Sequence, residues 1–204
     1  RYFVQREYER VSLLLEEPEL LEALYLETDL QLYYYYLGSC EFFVEKNHVT
    51  ALQSLRKGLS YTYNQDKQFV STIEVQMLSC IGYVLKESVQ REKALVELKK
   101  SYDFAEKLPY ERKIFELAKV YYHYGEFLFE EKDYKEAFIV VARGLSFVRQ
   151  FCSYYYLLEL TDLNGKNLQK LGKKELALPF LSLAEYIKNL DFVKSFDSLD
   201  FENE

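Results

Sequence analysis

The chain has 204 residues with 17% aromatic side chains, seven glycines and three prolines, a composition that favours long helices packed through aromatic rings over strand-and-turn architectures. Its net charge is −7, and basic residues are interleaved with acidic ones, so the chain lacks the concentrated basic face that nucleic-acid binding requires. The sequence has no apolar run of membrane-spanning length and no signal-peptide pattern. We therefore predict an all-α protein that contacts neither DNA nor a membrane itself.

Residues 1–28 are predicted to form a helical segment that leads into the rest of the chain. Apolar residues from Phe3 to Leu15 recur at helical spacing. Pro18 suits the first turn of a second helix that runs to about Glu27. This segment is either a partial repeat or the linker from an upstream domain that the chain lacks.

Four segments between residues 29 and 190 repeat one spacing of small residues. In each, a glycine is followed 12 or 13 residues later by an alanine, and the alanines recur with periods of 43, 43 and 40 residues. The glycines are Gly38, Gly82, Gly125 and Gly165, and the alanines are Ala51, Ala94, Ala137 and Ala177. Small residues on the contact faces let two helices approach closely. Each segment is therefore predicted to be a helical hairpin, and the crossing point of the third is set by Gly125 and Ala137.

Turn residues and prolines predict where the helices begin and end. A polar turn at Glu130–Asp133 joins the two helices of the third copy, and Ser88 marks the turn of the second. Pro109 is predicted to begin the first helix of the third copy, because proline suits the first turn of a helix. Pro179 requires the last helix to start late or to kink. Residues 191–204 are expected to be an acidic tail, either disordered or weakly docked.

The third copy resembles a tetratricopeptide repeat. The residues that carry the resemblance are Tyr121, Tyr124, Gly125, Leu128, Tyr134, Ala137, Val141 and Gly144. The resemblance implies a right-handed α-solenoid of helical hairpins, although the period exceeds the usual 34 residues. Longer, degenerate repeats of this kind resemble the C-terminal domains of peptide-responsive bacterial transcription regulators, the Rgg and PlcR-like (RNPP) superfamily.

The sequence argues against an enzyme and against a metal site or cofactor. His48 falls in a predicted turn and His123 inside a helix, and neither has metal-ligand spacing to a second ligand. We expect His123 to be a partly buried or groove-edge residue, with a general-base role as the less favoured alternative. Cys40, Cys80 and Cys152 each lie in an apolar helical stretch and are predicted to be buried small hydrophobes in a reducing cytoplasm.

A binding groove is the more favoured site. When the repeat glycine is numbered as position 8, the resemblance implies that positions 2, 5 and 9 of each first helix face the concave side of the array. The candidate peptide-binding residues at these positions are Tyr35, Ser39, Gln76, Ser79, Tyr83, Lys119, Tyr122, Glu126, Asp162 and Lys166. Amides and hydroxyls can satisfy a peptide backbone, and tyrosines can cover its apolar side chains. The alternative is that a concave surface merely tolerates these residues.

The runs of consecutive tyrosines cannot point entirely to the core, because neighbouring residues on a helix lie about 100° apart. In the third copy, Tyr121 and Tyr124 are predicted to be core residues and Tyr122 to face the groove. Tyr122→Ala should therefore change stability little and weaken ligand binding.

The favoured function is the sensing domain for a short signalling peptide, within a cytoplasmic quorum-sensing transcription regulator. In this hypothesis the chain forms a homodimer, and ligand binding changes its curvature or a dimer contact. DNA is bound only through an upstream helix-turn-helix domain that the chain lacks. The first alternative is a protein-interaction scaffold or adaptor that binds a folded partner, and the second is an all-α enzyme.

Overall fold

A computed structural model describes residues 2–64, 66–67 and 69–193, which form helices and connecting turns without any β-strand. The helices are α1 (Tyr8–Leu15), α2 (Pro18–Glu22), α3 (Glu27–Phe43), α4 (His48–Thr62), α5 (Thr72–Glu87), α6 (Arg91–Lys107), α7 (Ala118–Glu130), α8 (Tyr134–Gln150), α9 (Leu157–Lys170) and α10 (Lys174–Val193). The predicted all-α class is confirmed. None of the described helices is long and apolar enough to cross a membrane.

The chain divides into two compact units, Arg1–Tyr124 and Gly125–Glu204, and the boundary falls inside α7. In the first unit α3 packs against α4, α5 packs against α6 and α4 also contacts α5, while α1 lies against α3. In the second unit α9 packs against both α8 and α10. Helices α3 to α10 fall in the part of the chain where the four two-helix repeats are predicted.

The repeat glycines lie where two helices come into direct contact. A Cβ atom at Gly82 would lie 2.6 Å from Leu98 Cγ, and one at Gly125 would lie 2.5 Å from Val141 Cγ2. Leu98 and Val141 each follow the repeat alanine by four residues, so the crossing lies one turn beyond the predicted pair of Gly125 and Ala137. That prediction was wrong in its register. The alanine lies on the contact face of its helix, but the two helices come closest one turn further along the helix axis. Ala137 is nevertheless completely buried.

Local hydrogen bonds explain several helix starts. Asn47 caps α4 because its side-chain oxygen accepts hydrogen bonds from the backbone N–H groups of Val49 and Thr50. Ser71 and Glu74 form a reciprocal capping box at the start of α5. Asp133 caps α8, and the predicted turn at Glu130–Asp133 is confirmed.

The structure corrects the prediction for Pro109 and excludes one of the two alternatives for Pro179, the late helix start, while the kink stays a prediction. Pro109 is followed by two short 3₁₀ turns separated by extended backbone, and α7 begins only at Ala118. Pro179 lies inside α10, which begins at Lys174 and does not start late. Pro179 has no N–H to donate to the carbonyl of Glu175, so α10 lacks that hydrogen bond in its second turn.

The ends of the chain also differ from the predicted pattern. Residues 2–6 form turns, so the first helix is only Tyr8–Leu15. Pro18 occupies the first turn of α2, as predicted, but that helix ends at Glu22 and not near Glu27, where α3 begins. The predicted acidic tail overlaps the last turn of α10, and its part from residue 194 onward lies outside the described residues.

Candidate functional site

The predicted groove residues divide between the two units and differ in burial. In the first unit five are buried and two are half-buried, whereas in the second unit two are half-buried and one is exposed. The buried residues are Tyr35, Ser39, Gln76, Ser79 and Lys119; the half-buried ones are Tyr83, Tyr122, Glu126 and Asp162; the exposed one is Lys166. The first unit therefore contains an enclosed polar cluster where an open groove wall was expected. Peptide binding by these residues stays a prediction.

Three of the predicted residues, from three successive first helices, meet in the first unit. The Tyr35 hydroxyl on α3 donates a hydrogen bond to Gln76 Oε1 on α5 at 3.3 Å. The Lys119 ammonium on α7 donates to the same hydroxyl, and its Nζ lies 4.8 Å from the centre of the Tyr35 ring. The positions assigned from the repeat pattern thus converge on one point, which we call the Lys119 cluster (Tyr35, Gln76 and Lys119).

The charge of Lys119 is poorly compensated. Lys119 is only 3% exposed. Among the described residues, the Tyr35 hydroxyl is the one hydrogen-bond acceptor for its ammonium group, and no carboxylate lies at ion-pair distance. Burial lowers the pKa of Lys119, and the positive charge of Arg6 lowers it further, against the opposite effects of Cys80 and Glu116. An ammonium group has three N–H donors. The cluster therefore has unused capacity to bind an anionic or carbonyl oxygen.

His123 lies one turn after Lys119 and extends the polar region. Its Nδ1 is 2.9 Å from Ser79 Oγ, and its ring stacks on Tyr83 with the centroids 4.3 Å apart. Burial holds the pKa of His123 well below its usual range, and the charges of Lys119, Lys86 and Arg6 reinforce this. The histidine is therefore neutral at physiological pH, and at 3% exposure it is more buried than the sequence predicted.

Residues before α1 cover the Lys119 cluster. The sequence pattern did not predict this contact. The Phe3 ring lies 5.0 Å from the Tyr35 ring and 4.5 Å from the Tyr36 ring, measured between centroids. Lys119 Nζ is 5.7 Å from the centre of the Phe3 ring. Tyr8, at the start of α1, stacks on the end of α3. The helical spacing of Phe3 was the available signal, but it did not indicate which surface this ring would cover.

Two cavities of very different size adjoin this region. A largely apolar cavity of about 470 Å³ lies between α1, α2 and α3, and both Phe3 and Tyr36 contribute to its lining. The cavity beside Tyr83 and His123 has a volume of only about 10 Å³, which is enough for a single water molecule. Room for a ligand next to the Lys119 cluster thus exists on the side of Phe3.

The second unit holds the remaining predicted residues and two polar side chains that were missed. Asp162 and Lys166 form an ion pair of 2.5 Å along one face of α9. The side-chain oxygens of Asn164 and Asn167 are buried in α9 and accept no hydrogen bond within the described part of the chain. Asparagine is unfavourable inside a helix, so this pair was a signal that the sequence analysis could have used.

The cysteine prediction holds for only part of the set. Cys40 is buried, Cys80 is half-buried and Cys152 is exposed. The prediction for Cys152 was wrong because α8 ends at Gln150, which leaves the cysteine in a turn with φ of 47°. No group of three or more histidine, cysteine or acidic side chains suited to a metal occurs among the described residues.

Comparison with known proteins identifies the fold. No protein-family model and no curated protein sequence matches the chain. Solved structures do match, among them a kinesin light chain from Podosopora anserina with nearly identical TPR-like repeats, at TM-score 0.60 and 12% identity over 91% of this chain and 86% of that chain. The chain is thus a helical-repeat protein of the tetratricopeptide-like α-solenoid class.

PlcR of Bacillus thuringiensis is also similar in structure. Its complex with the peptide PapR7 and DNA matches at TM-score 0.73 and 17% identity, covering 95% of this chain and 69% of that chain. Its apo form matches at TM-score 0.74, also at 17% identity, covering 98% of this chain and 74% of that chain. The resemblance expected from the sequence is confirmed at the level of the fold.

Proposed function

We propose that the chain is the peptide-sensing domain of a transcription regulator. The observation that carries the proposal is the convergence of Tyr35, Gln76 and Lys119 from α3, α5 and α7 on one point. A similar fold occurs in PlcR, which has been solved with a peptide and DNA. In this proposal the ligand is a short signalling peptide, and DNA is bound through an upstream domain.

The chemistry of the first unit suits an extended peptide. The Gln76 amide and the Ser79 hydroxyl can exchange hydrogen bonds with a peptide backbone, and the tyrosines can cover apolar side chains. The Lys119 ammonium can neutralise a carboxylate of the ligand, which would also offset the cost of burying its own charge. The half-buried Tyr83 and Tyr122 complete the binding surface in this unit.

Signalling requires that the peptide bind two conformations with different affinity, because a ligand with equal affinity for both would shift neither population. We propose that binding changes helix packing or a contact in a homodimer, in a cytoplasmic quorum-sensing regulator. Sedimentation of the chain with and without ligand would test the dimer. In the second unit, peptide contacts are predicted for Glu126, Asp162 and Lys166.

Native mass spectrometry tests the proposal directly. The full chain is incubated with a low-molecular-weight extract of its source organism, and a stoichiometric adduct of about 0.5 to 1.2 kDa, about five to ten residues, is expected. Lys119→Met should lose the adduct because methionine fills a similar volume without donating hydrogen bonds. Tyr25→Ala is the matched control, since Tyr25 is 82% exposed. An adduct that all three chains retain equally would contradict the assigned site.

A scaffold that binds a folded partner is the second candidate. It is supported by the equally evident similarity to tetratricopeptide-like repeats of a kinesin light chain and by the burial of five of the predicted groove residues. A scaffold would retain protein-sized partners and no peptide-sized adduct in the same experiment. Substitution of Lys119 would then leave partner binding unchanged.

A further inference from the structure

The segment that covers the Lys119 cluster is held less firmly than the residues beneath it. Tyr35 is 2% exposed, whereas every described residue before Val11 is half-buried or exposed. The backbone hydrogen bonds from Arg6 and Glu7 go to Phe3 and Tyr2, within the segment itself. The segment thus shields buried polar groups with few buried atoms of its own.

The backbone at Arg6 is also strained. Its φ is 60°, in the left-handed region, which costs a residue other than glycine some stability unless the surroundings enforce it. A segment that holds such a conformation against the surface is easier to displace than a relaxed one.

The same segment brings the wrong charge to the cluster. The guanidinium of Arg6 is close enough to lower the pKa of both Lys119 and His123, so the segment adds a cation beside a buried cation. Phe3, in contrast, is well matched to its position, because aromatic rings pack favourably on one another and on an ammonium group. The one carboxylate of the segment, Glu7, pairs with Arg10 at 2.7 Å, so the segment offers the Lys119 ammonium an aromatic ring but no carboxylate.

We infer that residues 2–7 occupy the peptide site as an internal substitute for the ligand, and that the ligand is a peptide with an aromatic side chain at the place of Phe3 and a carboxylate within reach of the buried Lys119 ammonium. This inference rests on the proposed function. The ligand displaces the segment, and the 470 Å³ cavity beside Phe3 and Tyr36 receives apolar side chains that flank its aromatic residue. Competition between the segment and the ligand sets the threshold of the response.

Tethering explains why a weakly held segment can still exclude a ligand. A segment joined to its site by a short linker has an effective concentration of about the millimolar range. An external peptide with the same contacts must outcompete that concentration, so its apparent affinity for the wild-type chain is lowered. A peptide that places a carboxylate beside Lys119 gains an interaction that the internal segment lacks.

The test uses the full chain and three fluorescein-labelled, end-capped hexapeptides in fluorescence polarisation. The first has the sequence of residues 2–7, Tyr-Phe-Val-Gln-Arg-Glu, and the others carry Phe3→Ala or Arg6→Glu. The proteins are the wild type, Phe3→Ala and the control Tyr25→Ala. Phe3→Ala removes the ring that anchors the internal segment and should bind the first peptide at least about 10-fold tighter than either other chain.

The peptides test the ligand chemistry separately. On the Phe3→Ala chain, the Arg6→Glu peptide should bind at least about 5-fold tighter than the first peptide, with a difference that decreases as salt is added. The peptide carrying Phe3→Ala should show no saturable binding. Because Phe3 is only half-buried, its variant should fold normally, and a Phe3→Leu chain with intermediate affinity gives a second check.

Equal affinity of the first peptide for all three chains would overturn the inference, as would no binding to a folded Phe3→Ala chain. Tighter binding of the first peptide than of the Arg6→Glu peptide would overturn the acidic part of the inference. If the wild type retains a natural peptide adduct but these probes fail, the inference falls and the proposed function stands. If the probes bind as expected but no natural adduct forms, the inference that residues 2–7 occupy the site stands and the proposed function falls.

Discussion

The three tyrosines of α7 allow a direct test of which side chains hold the first unit together. Tyr121 is 2% exposed, and its hydroxyl donates to Glu106 Oε1 at 2.8 Å. Tyr124 is 5% exposed, with its ring 5.2 Å from that of Tyr102. Replacing a buried aromatic residue by alanine costs about 3 to 5 kcal/mol, and loss of the hydrogen bond adds about 1 kcal/mol.

We expect Tyr121→Ala to lower the free energy of unfolding by about 4 kcal/mol and Tyr124→Ala to lower it by about 3 kcal/mol. Tyr122 is half-buried, so Tyr122→Ala should lower the free energy of unfolding by less than about 1 kcal/mol. The same change should weaken peptide binding. Urea unfolding followed by circular dichroism measures all three, and Tyr121→Phe isolates the hydrogen bond. Equal losses for Tyr121→Ala and Tyr122→Ala would refute the division between core and groove.

Three further predictions concern other buried features of the first unit. Glu74 is completely buried and accepts a 2.6 Å hydrogen bond from Lys67 Nζ; Glu74→Gln should therefore cost about 3 kcal/mol in urea unfolding, and a loss below about 1 kcal/mol would contradict this. Because the pKa of His123 is depressed, the unfolded chain binds more protons below about pH 6.5. Stability should thus fall from pH 7 to 5, by at most about 1.4 kcal/mol per pH unit, and an unchanged pH profile in His123→Gln would contradict this. Gly82→Val should cost about 1 to 3 kcal/mol because its Cβ meets Leu98; a stability equal to that of the wild type would show that the helices separate freely.

The hairpins were predictable because their spacing records a local requirement for small side chains. Gly82 and Gly125 lie against the partner helix, as the repeat pattern indicated. The register was not predictable, since an alanine and the aliphatic residue one turn later share the same face. The short 3₁₀ turns after Pro109 were also missed, because a proline that suits a helix start suits other turns equally well.

The candidate site was predictable in composition but not in exposure. Gln76 and Lys119 hold the same repeat position on successive first helices and Tyr35 lies at a position three residues further along its repeat, and the three side chains meet in the first unit. Their burial depends on Phe3, which is distant in sequence from Lys119 and contacts it only in the folded chain. Periodicity describes one helix at a time, so it cannot reveal a contact made by a segment outside the repeats.

The burial of Lys119 is more easily explained by ligand binding than by folding. An unpaired cation in the interior lowers stability, and an apolar side chain of the same length would avoid that cost. The carboxylate of the covering segment, Glu7, pairs with Arg10 at 2.7 Å, so in the free chain only the Tyr35 hydroxyl and the more distant Glu116 and Cys80 offset the cost. A ligand that supplies a carboxylate removes the cost only in the bound state. This difference between states is the differential affinity that a conformational switch requires.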